Sequence, residues 1–408
     1  MKFTQTLFSC ILLLSGLPAL SSPASVQETK SARPRVFLLN GRRLAETKRR
    51  ILSGDRTFAA ALAKLESDAR RAMQQQPLSV VNKTVTPPSG DKHDYMSQAP
   101  YFWPNPSKPG GLPYVRRDGE RNPEINKITD HVALDQMVGA VRTLSLAYYF
   151  KADEKYAAKA AELLRTWFLD PANRMNPNLE YAQFIPGVNT GRGIGLIETR
   201  SLVDVVDAVG LLAGSRSLTA ADQKRLEAWF GKFLQWMQES KNGREESAAK
   251  NNHGTYYDVQ TISFALFIGK SNLAKQIAET AKQKRIAQQV EPDGRQPLEL
   301  ERTKAWSYSN MNLDGLLQLA RLAENVDVDL WSYKTKDGRS IRAALEYLYS
   351  YAIEERPWTY QQIEGFNAKS FFPLMRRAAS HYQDQTFQAA EAKVPKSDPT
   401  DRDQLYSW

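Results

Sequence analysis

The stretch ALDQMVGAVRTLSLAYYF, residues 133–150, carries the pattern that determines the fold class. Its apolar residues recur three and four positions apart, which is the spacing of one face of an α-helix. The same spacing continues on both sides, through residues 58–73, 155–168, 202–213, 220–237, 272–286, 312–322 and 341–352. The alternation of apolar and polar residues that is typical of half-buried strands is scarce. The sequence therefore predicts an all-α protein.

Several of these helices have recognisable amino-terminal caps. Thr219 precedes Ala-Ala-Asp-Gln, and Asp153 precedes Glu-Lys-Tyr, which are both favourable helix starts. Short connections between amphipathic helices are typical of antiparallel pairs. No short-period repeat of the tetratricopeptide kind is present in the sequence. We therefore expect an (α/α) toroid or incomplete barrel of antiparallel helix pairs, with one long lid-like loop.

The first residues are typical of an export signal. A basic start at Lys2 is followed by a mostly apolar run over residues 7–20 and then by small residues. Because this run is shorter than the ~20 residues of a membrane span, we predict a signal peptide at residues 1–24 and a periplasmic or secreted protein. The single cysteine, Cys10, lies inside this segment, so disulfides and thiolate sites are excluded from the mature chain.

Composition indicates a globular protein with an acidic partner. The chain has 408 residues, of which 42% are hydrophobic and 25% are charged. We expect one helical domain at residues 25–390 and a polar, weakly held tail at residues 391–408. The formal net charge of +10 favours acidic partners, although many exported proteins are basic without a specific reason. Export makes an acidic polysaccharide the favoured partner over nucleic acid or a membrane surface.

The longest irregular segment, residues 85–124, contains eight prolines and several aromatic residues. A segment of this length without secondary structure is usually a lid or a binding loop. Trp103 suits stacking on a sugar face, and Arg116 suits pairing with a carboxylate. The alternative is a proline-stiffened loop that packs its aromatic rings on the protein body.

A second irregular segment, residues 176–200, is rich in polar side chains. Its glycine cluster resembles a phosphate-binding loop only superficially, because no strand precedes it. We interpret the segment as the mouth of a cleft, with Asn189, Arg192 and Arg200 as candidate substrate contacts. A surface loop without a ligand is the alternative.

Two further segments carry groups suited to catalysis: KNNHGTYYDVQ at residues 250–260 and LELERTKAWSYSN at residues 298–310. The amides, imidazole and glycine of the first, followed by Tyr-Tyr-Asp, make a poor helix and a costly core. We therefore interpret that segment as a functional site, with Tyr257 as a further candidate substrate contact. Together the two segments supply an amide, an imidazole, a guanidinium and a phenol, from Asn252, His253, Arg302 and Tyr308.

These four groups suit removal of a proton beside a carboxylate. A 4-linked uronate is cleaved when the C5 proton is removed and the C4 oxygen is expelled, while negative charge builds up on the carboxylate. Asn252 and Arg302 are the predicted charge-stabilising pair. Tyr308 and His253 are candidates for the base and the acid. The usual pKa of tyrosine, near 10, requires the charge of Arg302 to lower the pKa of Tyr308 if it is the base.

Each group also has a structural interpretation. A histidine in a helical protein is more often a hydrogen-bonded structural residue, Arg302 has Glu299 and Glu301 as neighbours to pair with, and Tyr308 suits ordinary packing. The four histidines are scattered without a His-x-x-x-His pair, so we expect no metal site and no cofactor.

Two other protein classes remain as alternatives. A binding protein would hold acidic glycans in the same cleft without cutting them. A glycoside hydrolase would use two carboxylates that flank the scissile bond. The available carboxylates are those of Glu180, Glu198, Asp258 and Glu301.

The motifs resemble the active-site segments of the alginate lyase superfamily, polysaccharide lyase families five and thirty-eight. The resemblance rests on NNHG at residues 251–254, on LELER ending at Arg302, and on Tyr308. It extends to PYFWPNP at residues 100–106, GLPYVRRDGERNPE at 111–124 and NPNLEYAQFIPGVNTGR at 176–192. The interval of six residues from the arginine to the tyrosine favours family thirty-eight.

The resemblance implies an (α/α) toroid with a deep cleft, no metal, and β-elimination that leaves an unsaturated uronate. It implies that Asn252 neutralises the substrate carboxylate with help from Arg302. Tyr308 would be the acid, and also the base for one sugar epimer, while His253 would be the base for the other. The predicted substrate is alginate, as polymannuronate or polyguluronate, with glucuronan as the alternative within family thirty-eight.

Overall fold

The computed structural model describes Met1 and residues 33–353, 356–382 and 385–406. The predicted signal peptide therefore lies, apart from Met1, outside the described residues. Within these ranges the chain forms fifteen α-helices and four short strands. The prediction of an all-α protein is confirmed.

The α-helices are, in chain order, α1 (Gly41–Leu52), α2 (Ala59–Ala72), α3 (Asp130–Lys151), α4 (Glu154–Leu164), α5 (Leu202–Leu211), α6 (Ala220–Glu239), α7 (Lys241–Ala248), α8 (Asn252–Phe267), α9 (Ser271–Ala281), α10 (Pro297–Leu300), α11 (Ala305–Ala323), α12 (Ile341–Ala352), α13 (Phe372–His381), α14 (Gln385–Lys393) and α15 (Asp403–Tyr406). The strands are β1 (Met96–Gln98), β2 (Phe102–Trp103), β3 (Val115–Arg116) and β4 (Tyr181–Phe184).

The core is built around helices α3, α8 and α11. Helix α3 packs on α2, α4 and α5, while α8 packs on α5, α6, α9 and α11. Every residue of α8 is buried except His253, which is partly exposed. A helix that is buried on all sides belongs to the centre of the core. The first turn of α8 is therefore held in place by several neighbouring elements.

Both predicted helix caps are present. The Thr219 hydroxyl accepts a hydrogen bond from the Asp222 backbone N–H at 3.1 Å, and the Asp222 carboxylate accepts one from the Thr219 backbone. The Asp153 carboxylate accepts a hydrogen bond from the Lys155 backbone N–H at 3.2 Å. These bonds satisfy backbone donors that have no partner inside the helix.

The segment NNHG, which the sequence predicted to be a poor helix, is in fact the start of α8. Asn251 is the amino-terminal cap, because its side-chain oxygen accepts a hydrogen bond from the His253 backbone N–H at 3.3 Å. Gly254 permits close packing, since a Cβ there would lie 2.1 Å from the Ala249 carbonyl oxygen and 2.3 Å from Nη1 of Arg285. Tertiary packing thus overrides the weak helix propensity of these residues.

The two irregular segments are joined by strand pairing. Residues 85–124 are mostly irregular, as predicted, but β1 pairs with β4 in parallel, with Met96 opposite Tyr181. Strands β2 and β3 form an antiparallel pair within the first segment, with Phe102 opposite Arg116. This pairing fixes the predicted lid-like loop against the second irregular segment.

The carboxyl-terminal residues contribute to the core. Helix α15 lies in the segment that was expected to be a weakly held polar tail, yet Leu405 and Tyr406 are buried within the core cluster. Helix α15 packs on α1 and α2. Among the described residues, no helix is both long enough and apolar enough to cross a membrane.

Candidate active site

A cleft of about 590 Å³ lies where the two irregular segments meet the first turn of α8 and the start of α11. All four predicted catalytic residues line it: Asn252 and His253 from α8, Arg302 from the turn after α10, and Tyr308 from α11. The structure therefore brings together two sequence motifs that lie about fifty residues apart.

The cleft is lined by five arginines, namely Arg116, Arg121, Arg192, Arg200 and Arg302. Among the described lining residues the single carboxylate belongs to Glu198, whose Oε2 accepts hydrogen bonds from the Tyr95 hydroxyl at 2.8 Å and the Ser97 hydroxyl at 2.6 Å. Guanidinium groups bind carboxylates, and a carboxylate accepts hydrogen bonds from sugar hydroxyls. This lining suits an acidic polymer that also carries hydroxyl groups.

Asn252 is fully buried at the inner end of the cleft, and Glu299 orients it. Its backbone N–H donates to Oε1 of Glu299 at 2.6 Å, and its Nδ2 donates to Oε2 at 2.8 Å. Burial raises the pKa of Glu299, while these two bonds from Asn252 lower it. One Nδ2 proton and the Oδ1 atom of Asn252 have no protein partner in the described chain.

His253 is held by Glu246 of α7. Its Nδ1 lies 2.8 Å from Oε1 of Glu246, a side chain that is only 1% exposed. Because an ionised carboxylate only accepts hydrogen bonds, this contact assigns the imidazole proton to Nδ1. The Nε2 atom then carries the lone pair, which is the form required of a general base.

Arg302 is paired with Asp118 and not with its sequence neighbours Glu299 or Glu301. Its Nη2 donates to Oδ1 of Asp118 at 2.8 Å and its Nε donates to Oδ2 at 3.1 Å. Burial alone would raise the pKa of Asp118, but the hydrogen bonds from Arg302 and Thr303 hold it well below its usual range. The two-point contact fixes the guanidinium plane and leaves Nη1 available for a ligand.

Tyr308 is a protonated phenol in this arrangement. Its hydroxyl donates to the Tyr101 hydroxyl at 2.9 Å, and the Arg302 guanidinium lies 3.8 Å from its ring centre. Burial and the bond to Tyr101 raise the pKa of Tyr308, and the opposing effect of Arg302 is smaller. Arg302 does act to lower this pKa, as expected, but it does not bring the pKa below its usual value. Desolvation of the phenolate outweighs the nearby charge.

Three of the predicted substrate contacts line the cleft: Arg116, Arg192 and Arg200. Arg192 is the most buried, and burial lowers its pKa to about 10. Its Nη2 donates to the Gln183 side-chain oxygen at 2.8 Å. Gln183 has a positive φ of 50°, an unfavourable backbone conformation of the kind that is common at functional sites.

The other three predicted contacts, Trp103, Asn189 and Tyr257, do not line the cleft. The Trp103 indole donates to the Glu120 carbonyl oxygen at 3.0 Å, and the Asn189 side chain accepts from the Ile185 backbone at 3.0 Å. Tyr257 is buried, and its hydroxyl donates to the Met237 carbonyl oxygen at 3.1 Å. These side chains stabilise the loops and the core, because residue type alone does not reveal which way a side chain points.

Several residues of the site were missed by sequence reasoning. Tyr101 and Asp118 lie in the segment interpreted as a lid, but nothing in the sequence pairs them with α11 or Arg302. Glu299 was considered only as a partner of Arg302. Glu246 lies seven residues before His253. The chain leaves the helix between α7 and α8, so helical spacing gave no signal for that contact.

The carboxylates proposed for a hydrolase are not placed for that chemistry. Asp258 forms a buried ion pair with Arg285 at 2.7 Å, and Glu180 and Glu301 are exposed outside the cleft lining. Glu198 therefore has no second carboxylate opposite it among the described lining residues, whereas hydrolysis of a glycoside uses two. Within the same described ranges, no group of three or more His, Cys, Asp or Glu side chains is arranged to hold a metal ion.

Comparison with known proteins identifies related sequences. Residues 79–358 match the sequence profile of the alginate lyase family. The chain is 41% identical to an alginate lyase from Bacteroides ovatus, with a TM-score of 0.88 over 92% of this chain and 99% of that one. A search of curated proteins gave no match.

A more distant likeness concerns the fold alone. Alginate lyase A1-III from Sphingomonas species A1 is 14% identical, with a TM-score of 0.55 over 86% of this chain and 95% of that one. A histidine-to-alanine variant of A1-III, complexed with a tetrasaccharide, is 15% identical, with a TM-score of 0.54 over 86% and 94% of the two chains. The predicted (α/α) toroid is confirmed by this similarity.

Proposed function

The chain belongs to the alginate lyase family and is a polysaccharide lyase, and from this premise we propose that Asn252, His253, Arg302 and Tyr308 cleave alginate by β-elimination. The proposal is supported by one observation: these four side chains line the same arginine-rich cleft. It supplies charge stabilisation, a base and an acid within a single site.

Asn252 and Arg302 stabilise the charge that develops on the substrate carboxylate. The second Nδ2 proton of Asn252 and the Nη1 group of Arg302 are the donors that remain after their bonds to Glu299 and Asp118. Both side chains are fixed before the substrate binds, so little reorganisation accompanies the reaction. Their hydrogen bonds strengthen as the C5 proton leaves.

His253 is the base and Tyr308 is the acid in this mechanism. The Nε2 atom of His253 takes the C5 proton, and the Tyr308 hydroxyl gives its proton to the departing C4 oxygen. The raised pKa of Tyr308 suits an acid more than a base at neutral pH. A substrate that presents the C5 proton on the tyrosine side requires Tyr308 to fill both roles.

We assign the enzyme to polysaccharide lyase family thirty-eight, and the six-residue interval between Arg302 and Tyr308 supports this assignment. We further propose that residues 1–24 are a signal peptide and that the mature enzyme is periplasmic or secreted. The basic and apolar pattern of those residues supports export. The cleft arginines support an acidic polysaccharide, and not nucleic acid or a membrane, as the binding partner.

Ultraviolet absorbance tests the proposal, because elimination creates a double bond conjugated with the carboxylate. The purified enzyme is incubated separately with polymannuronate, polyguluronate and glucuronan. We expect rising absorbance that is lost in Tyr308→Phe and retained in Tyr333→Phe, a matched change outside the cleft lining. Shortened chains without absorbance would indicate hydrolysis, and intact chains would indicate a binding protein.

A further inference from the structure

We propose that Glu246 is a positioning residue that fixes His253 as the catalytic base, an inference that rests on the proposed function above. Glu246 lies on α7, and its Oε1 is 2.8 Å from Nδ1 of His253. The carboxylate is 1% exposed and the imidazole is 14% exposed. The pair is therefore shielded from water on the Glu246 side and open on the side of the cleft, which His253 lines.

The contact determines which ring nitrogen reacts. With the Nδ1 proton donated to Glu246, Nε2 is the unprotonated nitrogen and has no protein partner in the described chain. In the elimination, the C5–H bond breaks and its proton goes to Nε2, while its electron pair forms the C4–C5 double bond. The C4–O bond breaks, and that oxygen takes the Tyr308 proton. Proton exchange through water then returns His253 and Tyr308 to their starting forms.

Glu246 also has a feature that the resting fold does not explain. Its second oxygen, Oε2, is buried and has no hydrogen-bond partner. An unpaired buried carboxylate oxygen is unfavourable unless a positive charge develops beside it. Protonation of His253 during the reaction supplies that charge, so the carboxylate stabilises the imidazolium as it forms.

Other charged or titratable groups face this pair from each neighbouring element. They are Arg192 from the second irregular segment, Glu245 and Lys250 on either side of Glu246, Tyr257 of α8, Glu299 of α10, and Arg285, which pairs with Asp258 and donates to the Ser247 and Ala249 carbonyls. Arg192 interacts electrostatically with the Glu246 carboxylate, and Glu299 interacts with the His253 imidazole. Among these groups, Glu246 is the one in direct hydrogen-bond contact with the imidazole.

The test is Glu246→Gln, compared with Glu246→Asp and with Glu239→Gln, which makes the same charge change at an exposed position at the end of α6. Activity is followed by absorbance on polyguluronate, the substrate on which His253 is the base in the proposed mechanism. We expect kcat of Glu246→Gln to fall about 10- to 100-fold with little change in KM. Removing the negative charge takes away an interaction that stabilises the imidazolium, so the acidic limb of the kcat/KM profile moves down by about one pH unit.

The controls separate this proposal from a purely structural role. Glu246→Asp keeps the charge, so its acidic limb stays in place while kcat falls less. Glu239→Gln behaves as wild type. An unshifted limb in a folded Glu246→Gln, with His253→Ala inactive, would overturn the role of Glu246 and leave the proposed function intact. If Glu246→Gln does not fold, Glu246→Asp provides the test instead. A kcat equal to that of the wild type in Glu246→Asp would then overturn the proposal. Absence of unsaturated products from the wild-type enzyme defeats the proposed function itself.

Discussion

At the scale of single residues, the site is organised by contacts that divide the acid and base roles. The contact with Glu246 leaves Nε2 of His253 able to accept a proton. The Tyr308 hydroxyl, in contrast, donates a hydrogen bond to Tyr101, and its pKa is raised, which favours the protonated phenol. The two candidate bases are therefore unequal at neutral pH. This inequality has a consequence for the two epimers of alginate.

Guluronate carries its C5 proton and C4 oxygen on opposite faces of the ring, and mannuronate carries them on the same face. In the proposed mechanism, cleavage of mannuronate therefore uses Tyr308 as base as well as acid, and the fraction of phenolate grows as pH rises. We predict that the rate on polyguluronate relative to polymannuronate falls between pH 7 and pH 9. Initial absorbance rates on the two polymers check this. A constant or rising ratio would show that Tyr308 does not limit cleavage of mannuronate.

At the scale of secondary structure, periodicity identified the amphipathic helices but not α8. Helices such as α4 and α12 present apolar residues at helical spacing, so the pattern predicts them directly. Helix α8 is buried all round, and its first turn is made of residues with weak helix propensity. Its stability comes from the Asn251 cap, the Asp258–Arg285 ion pair and the surrounding helices, which depend on tertiary contacts that a local pattern does not contain.

Substitution of Gly254 tests how tightly the first turn of α8 is packed. A Cβ at this position would overlap the Ala249 carbonyl oxygen and the Arg285 guanidinium, so Gly254→Ala forces α8 away from the segment that precedes it. We predict destabilisation by about 1–3 kcal/mol and loss of most activity, because Asn252 and His253 move with the turn. The matched control is Gly139→Ala in α3, where the added Cβ has no neighbour within 4 Å. It is expected to stabilise the protein by about 0.5–1 kcal/mol. Thermal unfolding measures both variants, and equal stabilities would contradict the packing argument.

At the scale of the whole molecule, the cleft combines parts of the chain that are far apart in sequence. The meeting of the four proposed catalytic residues in one cleft was predictable, because they lie in two contiguous motifs. Their partners were not, since Asp118 meets Arg302 across 184 residues and Tyr101 meets Tyr308 across 207. Such pairings follow from the toroid's assembly and from the docking of the lid-like loop. The same assembly gathers arginines from three separate segments around one cleft.

The arginines around the cleft predict that substrate binding depends on salt concentration. We expect this dependence to come from the charge of the cleft and not from the net charge of the chain. A polyuronate binds partly through electrostatic attraction to the arginines, which salt screens. The Debye length shortens from about 14 to about 4 Å as ionic strength increases from 0.05 to 0.5 M. We therefore expect KM to rise over this range while kcat changes little. Arg121→Gln removes an exposed cleft charge and should raise KM by up to about five-fold, or about 1 kcal/mol. It should also flatten the salt dependence. Arg42→Gln removes the same charge from the exposed surface of α1 and should change neither quantity. Equal effects of the two substitutions would show that the substrate responds to overall charge, and that the cleft arginines have no special part in binding.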